Sequence, residues 1–283
     1  MNKYDIAIIG GDKRTACMAP VFMQKGYQVI CYGTVNIDTP HNLTFASSLR
    51  QAIDSAPVVV CGIPIENSKE RPEIKLSEIQ RCLRKRQKIF GGVIPDSFRR
   101  ICEERGIGCY DFMTDMSVTI FNAIATAEGA ILEAMLHRDT NLHKSPTLVL
   151  GYGRCGKVLA DKLNGLSAQV CVCSADKEEL ALANALGFHT FSLTRLKHEI
   201  HTFSYIFNTI PAVIITKDCL ERLSQDALII DIASGKGGVE YTADSSHHAL
   251  HCMGLPGKYA SQSSAKRLVE YVIQNTSETR SRK

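Results

Sequence analysis

The chain has 283 residues, enough for about two domains, and a formal net charge of only +4. So small a basic excess argues against the dense positive face that nucleic-acid-binding domains present. Its 45% of apolar and 22% of charged residues are ordinary for a globular protein. The eleven cysteines are scattered and include no C-x-x-C pair, so we expect reduced side chains that serve in packing.

The N-terminal residues lead directly into a strand pattern, and we find no apolar run near the ~18 residues that a membrane span requires. We therefore expect a cytoplasmic protein without membrane association. His247, His248 and His251 lie near Cys252, but no second cluster at zinc-site spacing accompanies them. We expect no metal site.

The first half of the sequence alternates strand and helix patterns, which is typical of a parallel sheet covered by helices. Strands are predicted at residues 6–9, 28–32, 57–61, 88–92 and 106–110. Helices are predicted at 13–25, 47–53, 76–85 and 96–105, and a loop at 64–72.

Residues 118–136 carry apolar side chains at helical spacing and predict one long helix, with Ser117 as its N-cap. The polar stretch 137–145, which Pro146 closes, predicts a linker. The N-terminal α/β substrate domain is therefore placed at 1–140 and includes the connecting helix at 117–137.

The second half repeats the alternation of strands and helices. Strands are predicted at 147–150, 169–173, 188–190, 205–208, 227–231 and 249–253. Helices are predicted at 154–164, 177–186, 193–200, 217–222 and 261–274. We place a Rossmann NAD(P)-binding domain at 145–260, and at 261–283 a helix that returns to the N-terminal domain, followed by a polar tail. The predicted fold is α/β, with two Rossmann-like domains of parallel sheet joined by a long interdomain helix.

The sequence GYGRCG at residues 151–156 follows a predicted strand and opens a predicted helix. In this G-x-G-x-x-G spacing the first glycine makes the turn, the second lets a pyrophosphate approach the backbone, and the third lets helix and strand pack closely. The helix N-terminus adds N–H groups and a positive dipole end. We predict that a dinucleotide binds at Gly151, Gly153, Arg154, Cys155 and Gly156.

The second strand of this domain has no acidic residue at Cys173 or Ser174, where an NAD site usually has one for the ribose 2′-hydroxyl. Ser174 and Lys177 suit a 2′-phosphate, whereas Asp176 argues for the hydroxyl. The prediction is NADP, with NAD left open.

Two further segments follow strands of the same sheet. Ligands of such sheets bind outside the carboxyl ends of the strands. Cofactor contacts are therefore predicted from Asn208, Thr209, Ile210, Pro211, Asp231 and Ala233. Ordinary turn chemistry is the alternative for both segments.

The first glycine turn, GGDKR at residues 10–14, lacks a third glycine and places Asp12 where a phosphate would approach. A small anion, such as a substrate carboxylate, suits this turn better, with Arg14 and helix N–H groups as donors. The alternative is a surface turn with Asp12 as N-cap and two solvated basic side chains.

Several segments of the chain resemble the A-subunit family of dipicolinate synthases, and they extend over nearly its whole length. They are IAIIGGDKR (6–14), FNAIATAEGAI (121–131), VLGYGRCG (149–156), NTIPA (208–212), DIASGKGG (231–238) and GLPGKYA (254–260). The resemblance implies a smaller α/β domain followed by a Rossmann domain, an arrangement shared with alanine and D-2-hydroxyacid dehydrogenases.

The resemblance also implies an activity and a partner. The activity is the oxidation of dihydrodipicolinate to dipicolinate with NADP, during endospore formation and in the mother cell. The partner is the flavoprotein-like B subunit of dipicolinate synthase, and a homo-oligomer is left open.

A dicarboxylate substrate of this kind requires cations or N–H groups on opposite sides of its ring. Arg14 and Lys258 are the preferred cations, and we expect Lys258 in a rigid loop after the last strand. Asp12, Glu128 and Lys258 are the candidate catalytic groups, and water is a sufficient alternative as proton acceptor. Further substrate contacts are expected from Gly11, Asn122, Thr126, Ser234 and Tyr259. We expect the first glycine turn to face the dinucleotide across a cleft.

Two other functions remain open. An alanine- or 2-hydroxyacid-type NAD(P) dehydrogenase needs an acid–base group beside the reacting carbonyl, commonly a histidine paired with a carboxylate. We find no histidine at a strand end with an obvious partner. A non-catalytic dinucleotide-sensing module needs no substrate groups at all.

Overall fold

The computed structural model describes residues 3–37, 42–66, 74–241 and 249–277. The chain divides into two compact units, one formed by Met1–Phe121 with Pro256–Lys283 and the other by Asn122–Leu255. This division cuts the long helix and assigns residues 256–260 to the first unit, whereas the sequence analysis placed those boundaries at 140 and 260. Each unit contains one six-stranded parallel sheet.

The first unit has the strand order β3-β2-β1-β4-β5-β6. Its strands are β1 (Ile6–Ile9), β2 (Val29–Tyr32), β3 (Thr44–Phe45), β4 (Val58–Cys61), β5 (Lys88–Gly91) and β6 (Gly108–Asp111). Its sheet is accompanied by α1 (Lys13–Gln24), α2 (Leu49–Asp54), α3 (Leu76–Cys82), α4 (Asp96–Glu104) and the first turns of α5 (Met116–Leu136). Because β1, β4 and the inner part of β2 are buried along their length, they are continuously apolar rather than alternating.

The second unit repeats this order as β12-β11-β10-β7-β8-β9. Its strands are β7 (Pro146–Leu150), β8 (Gln169–Ser174), β9 (His189–Ser192), β10 (Tyr205–Asn208), β11 (Leu228–Asp231) and β12 (Ala249–His251). Its helices are α6 (Arg154–Gly165), α7 (Lys177–Ala185), α8 (Leu196–Glu199) and α9 (Lys217–Leu220), besides the later turns of α5. Numbered within each unit, both sheets have the doubly wound order 3-2-1-4-5-6, so β1 and β7 each end at the point where the order reverses. The predicted fold class is confirmed.

The C-terminal segment completes the first unit with two helices, α10 (Leu255–Tyr259) and α11 (Ser261–Ser277). α11 packs along α1. Leu268, Val269 and Val272 of α11 share one buried cluster with Met18 and Phe22 of α1. This helix therefore covers apolar surface that the first 121 residues would otherwise expose.

Two predictions about local structure are wrong: the N-cap of α5 and the loop expected around Lys258. Ser117 is not the N-cap of α5: the helix begins one residue earlier, and the Asp115 carboxylate accepts a hydrogen bond from the backbone N–H of Val118. The Ser117 hydroxyl and this N–H lower the pKa of Asp115. Lys258 is not in a loop, because residues 255–259 form α10.

Smaller differences concern short elements. The sequence analysis missed β3, two exposed residues at the edge of the sheet, and the 3₁₀ turn Phe112–Thr114. The helix predicted at 193–200 is instead α8 flanked by 3₁₀ turns at Leu193–Arg195 and Ile200–Thr202. Elements this short carry no strong periodic signal in the sequence.

One helix within the described ranges, α5, is long and apolar enough to cross a membrane by length and composition. This helix contains no unbroken apolar run of that length, because polar residues such as Asn122, Glu128 and Glu133 interrupt it. Half of the relevant window is buried in the protein, and length and composition alone do not assign this helix to a membrane.

The packing of α11 gives the first prediction. Replacing Leu268 by alanine removes a side chain that is 5% exposed, and we expect it to lower the free energy of unfolding by roughly 2–5 kcal/mol. Lys266→Ala, on the exposed side of the same helix, should change it by less than about 0.5 kcal/mol. Urea unfolding followed by circular dichroism measures both, and equal stabilities would contradict the packing described.

Candidate functional site

The glycine-rich turn at residues 151–156 lies where β7 ends and α6 begins. Gly151 has φ of +85°, a conformation that favours glycine. Gly153 is the N-cap of α6, and having no side chain it cannot cap the first N–H groups of the helix. These N–H groups and the helix dipole therefore suit an external anion such as a pyrophosphate.

The third glycine brings α6 against the turn. A Cβ at Gly156 would lie 2.1 Å from the carbonyl oxygen of Gly151, which is backbone and cannot yield. A Cβ at Gly151 would lie 2.6 Å from Thr209 Oγ1 and 2.9 Å from Ile210 Cγ1. The structure therefore brings the segment after β10 against the turn, and the Thr209 hydroxyl donates to the carbonyl of Leu150 at 2.9 Å.

An acidic side chain that was not predicted from the sequence, Glu179, contacts the end of β8. The Ser174 hydroxyl donates to Glu179 Oε2 at 2.7 Å, and the backbone N–H of Tyr152 donates to the same oxygen at 3.1 Å. Glu179 comes from the first turn of α7, five residues after the strand end. A search confined to the strand end could not find it, and Lys177 at the start of α7 is exposed.

The remaining side chains of the turn differ in how far they are buried. Tyr152 is 1% exposed and packs edge-on against Phe188, and burial raises its pKa. Burial also raises the pKa of the half-buried Cys155 thiol. Arg154, the first residue of α6, is exposed, and Lys157 Nζ lies 5.9 Å from the centre of the Tyr152 ring.

Asp231 holds the loop that follows β11. Its buried carboxylate accepts hydrogen bonds from Asn208 Nδ2 at 2.8 Å, from the N–H groups of Ala233 at 3.1 Å and Gly238 at 2.8 Å, and from the Tyr241 hydroxyl at 3.2 Å. Burial, and then the charge of Asp231, raise the pKa of Tyr241. Because both of its oxygens accept hydrogen bonds from within the protein, the Asp231 side chain holds the ends of β10 and β11 and the loop after β11 together.

Asn208 is locked in the same way, and its partners lie on the neighbouring strand and in the segment that follows it. Its Oδ1 accepts from the N–H of Ile210 at 3.1 Å, and Nδ2 also donates to the carbonyl of Ile210 at 3.2 Å. Pro211 and Ser234 are exposed. Ala233 is buried, and its carbonyl oxygen lies 3.0 Å from His251 Nε2.

The first glycine turn is filled by the chain itself. A Cβ at Gly11 would lie 2.2 Å from Thr15 Oγ1, and one at Gly62 would lie 2.7 Å from the Cα of Gly11. A Cβ at Gly10 would lie 3.1 Å from Ile74 Cδ1. The two glycines therefore allow close approach of other parts of the first unit, not only of a ligand.

Arg14 is not the open cation that the sequence suggested. It is 5% exposed, its Nη2 donates to Asp12 Oδ2 at 2.7 Å, and its Nε donates to the same oxygen at 2.9 Å. Nη2 also donates to the carbonyl of Ile63 at 3.1 Å. Asp12 is the N-cap of α1, as the alternative interpretation predicted. Of the two basic side chains that it expected in solvent, Lys13 is exposed but Arg14 is buried.

α10 rests on this ion pair. A Cβ at Gly257 would lie 2.5 Å from Asp12 Oδ2, so only glycine fits there without a shift. The following Lys258 is exposed, and its Nζ lies 4.8 Å from the centre of the Tyr259 ring. The structure therefore joins Gly11, Asp12, Arg14 and the start of α10 in one part of the first unit.

The three predicted residues of α5 lie in the second unit. Glu128 is exposed and forms an ion pair with Lys162 at 2.8 Å. The Thr126 hydroxyl donates to the carbonyl of Asn122, one turn earlier in the same helix, at 2.8 Å. These contacts engage Glu128 and Thr126 within the protein.

Within the described ranges, no group of three or more His, Cys, Asp or Glu side chains is arranged to hold a metal ion. His247 and His248, which the sequence analysis weighed and set aside as zinc ligands, lie outside the described residues.

The two doubly wound sheets and the glycine-rich turn define a pair of Rossmann-type units of the dehydrogenase architecture. A solved L-alanine dehydrogenase has this fold: it matches with a TM-score of 0.61 at 13% identity, over 96% of this chain and 90% of its own. At that identity the likeness concerns the fold alone.

The particular family follows from closer matches. Residues 5–113 match the model of the N-terminal domain of the dipicolinate synthase A subunit. The chain is 28% identical to the A subunit of dipicolinate synthase from Bacillus subtilis (strain 168) over 281 residues, which is 93% of this chain and 92% of the relative. The crystal structure of the corresponding protein from Bacillus halodurans matches with a TM-score of 0.80 at 23% identity, over 95% of this chain and 96% of its own. The chain is similar to the dipicolinate synthase A subunits over nearly its whole length, which confirms the resemblance predicted from its motifs.

The close contact at Gly156 gives the second prediction. Gly156→Ala forces a Cβ into the Gly151 carbonyl, so we expect dinucleotide binding to fall at least about tenfold and stability to fall by roughly 1–3 kcal/mol. Gly165→Ala is the matched control at the end of the same helix, since no atom lies within 4 Å of its Cβ position. Titration with NADH or NADPH, followed by fluorescence, measures both variants. Unchanged dinucleotide binding by Gly156→Ala would contradict the prediction that the turn at residues 151–156 is the dinucleotide site.

The ion pair of the first turn gives the third prediction. Arg14→Ala removes the guanidinium group that pairs with the Asp12 carboxylate, and we expect a loss of about 3 kcal/mol of stability. Lys13→Ala, the exposed neighbour, should change stability by less than about 0.5 kcal/mol. Thermal unfolding measures both. A fully stable Arg14→Ala protein would contradict a structural role and favour the substrate-binding role predicted from the sequence.

Proposed function

We propose that the chain is the oxidoreductase component of a dipicolinate synthase. It oxidises dihydrodipicolinate to dipicolinate, transferring a hydride to a nicotinamide dinucleotide and releasing a proton. The similarity to the Bacillus subtilis protein supports this proposal, since it extends over 93% of the chain. The word subunit in the name of that relative supports a partner chain. We extend the proposal to a flavoprotein-like B subunit and to the cytoplasm of a sporulating mother cell, as the resemblance of the motifs implies.

The turn at residues 151–156 carries the cofactor part of the proposal. Its three glycines answer three separate requirements: a positive φ at Gly151, an N-cap without a side chain at Gly153, and contact between backbones at Gly156. The turn lies at the end of the first strand of a doubly wound sheet, where such folds bind dinucleotides. The residues present therefore fit a dinucleotide.

Bound there, the nicotinamide ring supplies the hydride acceptor. The protein's own task is to bind and orient, because formation of an aromatic ring already favours the products. The N–H groups of Arg154 and Cys155 would hold the pyrophosphate, and Thr209, Ile210 and Pro211 would contact the nicotinamide half of the dinucleotide. Asn208 and Asp231 keep that segment in place through their hydrogen bond of 2.8 Å.

Lys258, rather than Arg14, is the cation proposed to bind a carboxylate of the substrate. Lys258 is accessible to solvent and lies beside Tyr259, whereas Arg14 is only 5% exposed. Asn122, Thr126, Ser234 and Gly11 remain proposed contacts. Asp12 and Glu128 are each in an ion pair, so water is the proposed proton acceptor.

The experiment that tests this function is an assay of the purified chain, alone and with the B subunit. The substrate is generated in the cuvette from aspartate semialdehyde and pyruvate by dihydrodipicolinate synthase, and dipicolinate absorbance is followed with NAD or NADP. We expect dipicolinate to form faster in the presence of the chain, and Lys258→Ala to raise KM with little change in kcat. Lys13→Ala serves as the control lysine.

Other outcomes separate the rival functions. Oxidation of L-alanine or a 2-hydroxy acid, without dipicolinate formation, would favour a dehydrogenase of the kind that shares this fold. His251, at the end of β12, is the histidine nearest to that requirement among the described residues, but its Nε2 is engaged by the carbonyl of Ala233. Dinucleotide binding with no oxidation of any of these substrates, even with the B subunit present, would favour a sensing module.

A further inference from the structure

The Glu179 carboxylate lies between the end of β8 and the glycine-rich turn. One oxygen accepts hydrogen bonds from Ser174 Oγ at 2.7 Å and from the N–H of Tyr152 at 3.1 Å. The other oxygen is 3.9 Å from the position that a Cβ would take at Gly153. A side chain from α7 thus reaches back over the strand end to the middle glycine of the turn.

This is the place where a bound dinucleotide has its adenosine ribose. In a doubly wound unit the pyrophosphate sits on the first glycine turn, and the adenosine ribose lies beside the end of the second strand. β7 is the first strand here, and β8, its direct neighbour in the sheet, is the second. Glu179 bridges these two features, although it is not at the strand end itself.

We infer that Glu179 makes the site select a dinucleotide with a free adenosine 2′-hydroxyl, NAD(H), over one that carries a 2′-phosphate, NADP(H). This inference rests on the proposed function, since it requires that the turn binds a dinucleotide. It reverses the preference for NADP that the sequence suggested from Ser174 and Lys177.

The charges at the site support this choice. A carboxylate accepts a hydrogen bond from a ribose hydroxyl, whereas it repels the negative charge of a phosphate at the same position. The site is partly buried, so solvent screens that repulsion less than at an open surface.

Of the two groups that suit a 2′-phosphate in the sequence, Ser174 is engaged in hydrogen bonds within the protein. Ser174 has one hydroxyl proton and gives it to Glu179, and its oxygen accepts from the N–H of Asp176 at 3.1 Å. Asp176 in turn caps α7 by accepting from the N–H groups of Glu178 and Glu179. The N-terminus of α7 therefore already has an anion of its own. Lys177 remains as an exposed cation at this end of α7.

The test compares NAD and NADP affinities in three proteins by isothermal titration calorimetry: the unmodified chain, Glu179→Gln and Glu178→Gln. Glutamine at 179 keeps one oxygen for the hydrogen bonds from Ser174 and Tyr152, removes the charge and replaces the other oxygen by an NH2 group. Glu178 is the matched control, since it is the exposed preceding residue of the same helix turn. Circular dichroism confirms that the variants are folded.

We expect the unmodified chain to bind NAD at least about tenfold more tightly than NADP, which corresponds to ~1.4 kcal/mol. Glu179→Gln should reduce that ratio about tenfold, mainly by tighter NADP binding, and Glu178→Gln should leave it unchanged. The ratio in the unmodified chain decides the matter even if Glu179→Gln fails to fold.

Three results would overturn the inference. An unmodified chain that binds NADP as tightly as NAD, or more tightly, refutes the selection outright. A preference for NAD that persists in Glu179→Gln refutes the role of this residue. Failure of the unmodified chain to bind either dinucleotide refutes the proposed function as well. The first two results leave the proposed function standing.

Discussion

The contact on which the second unit depends is between two stretches of backbone, at Gly156 and Gly151. A Cβ at Gly156 would lie 2.1 Å from the Gly151 carbonyl oxygen, so the start of α6 can approach the end of β7 only without a side chain there. That approach directs the first N–H groups of α6 to the point where the strand order reverses. The hydrogen bonds of Thr209 and of the Asn208–Asp231 pair then hold the neighbouring strand ends around it.

The two units have the same strand order but use their first turn differently. In the first unit the acid of the turn, Asp12, binds the arginine of its own helix and supports α10 through Gly257. In the second unit the acid reaches the turn from the next helix, and it leaves the α6 N-terminus uncapped by a side chain. The first turn is closed by its own chain, and the second suits an external anion. Identical topology therefore does not imply identical function.

The sequence predicted the features that depend on short-range pattern. Both sheets, the long helix and the turn at 151–156 follow from apolar runs and glycine spacing, which are local properties. The pairing of Arg14 with Asp12 was not predictable in this way, because its burial depends on Ile63 and α10, which are distant in sequence. The position of Glu179 was not predictable either, because it lies in α7, beyond the strand end, and only the folded structure brings its carboxylate to Ser174 and Tyr152. The N-cap of α5 was misplaced by two residues, since Asp115 and Ser117 are both good capping residues.

The most direct measurement is a crystal structure of the chain with NAD bound. We predict a pyrophosphate on the N–H groups at the start of α6, and an adenosine ribose whose 2′-hydroxyl is within about 3.2 Å of a Glu179 oxygen. A dinucleotide bound away from residues 151–156 would contradict the assignment of the turn. A ribose at this turn whose 2′-hydroxyl does not reach Glu179 would contradict the role of that residue while leaving the turn's assignment intact.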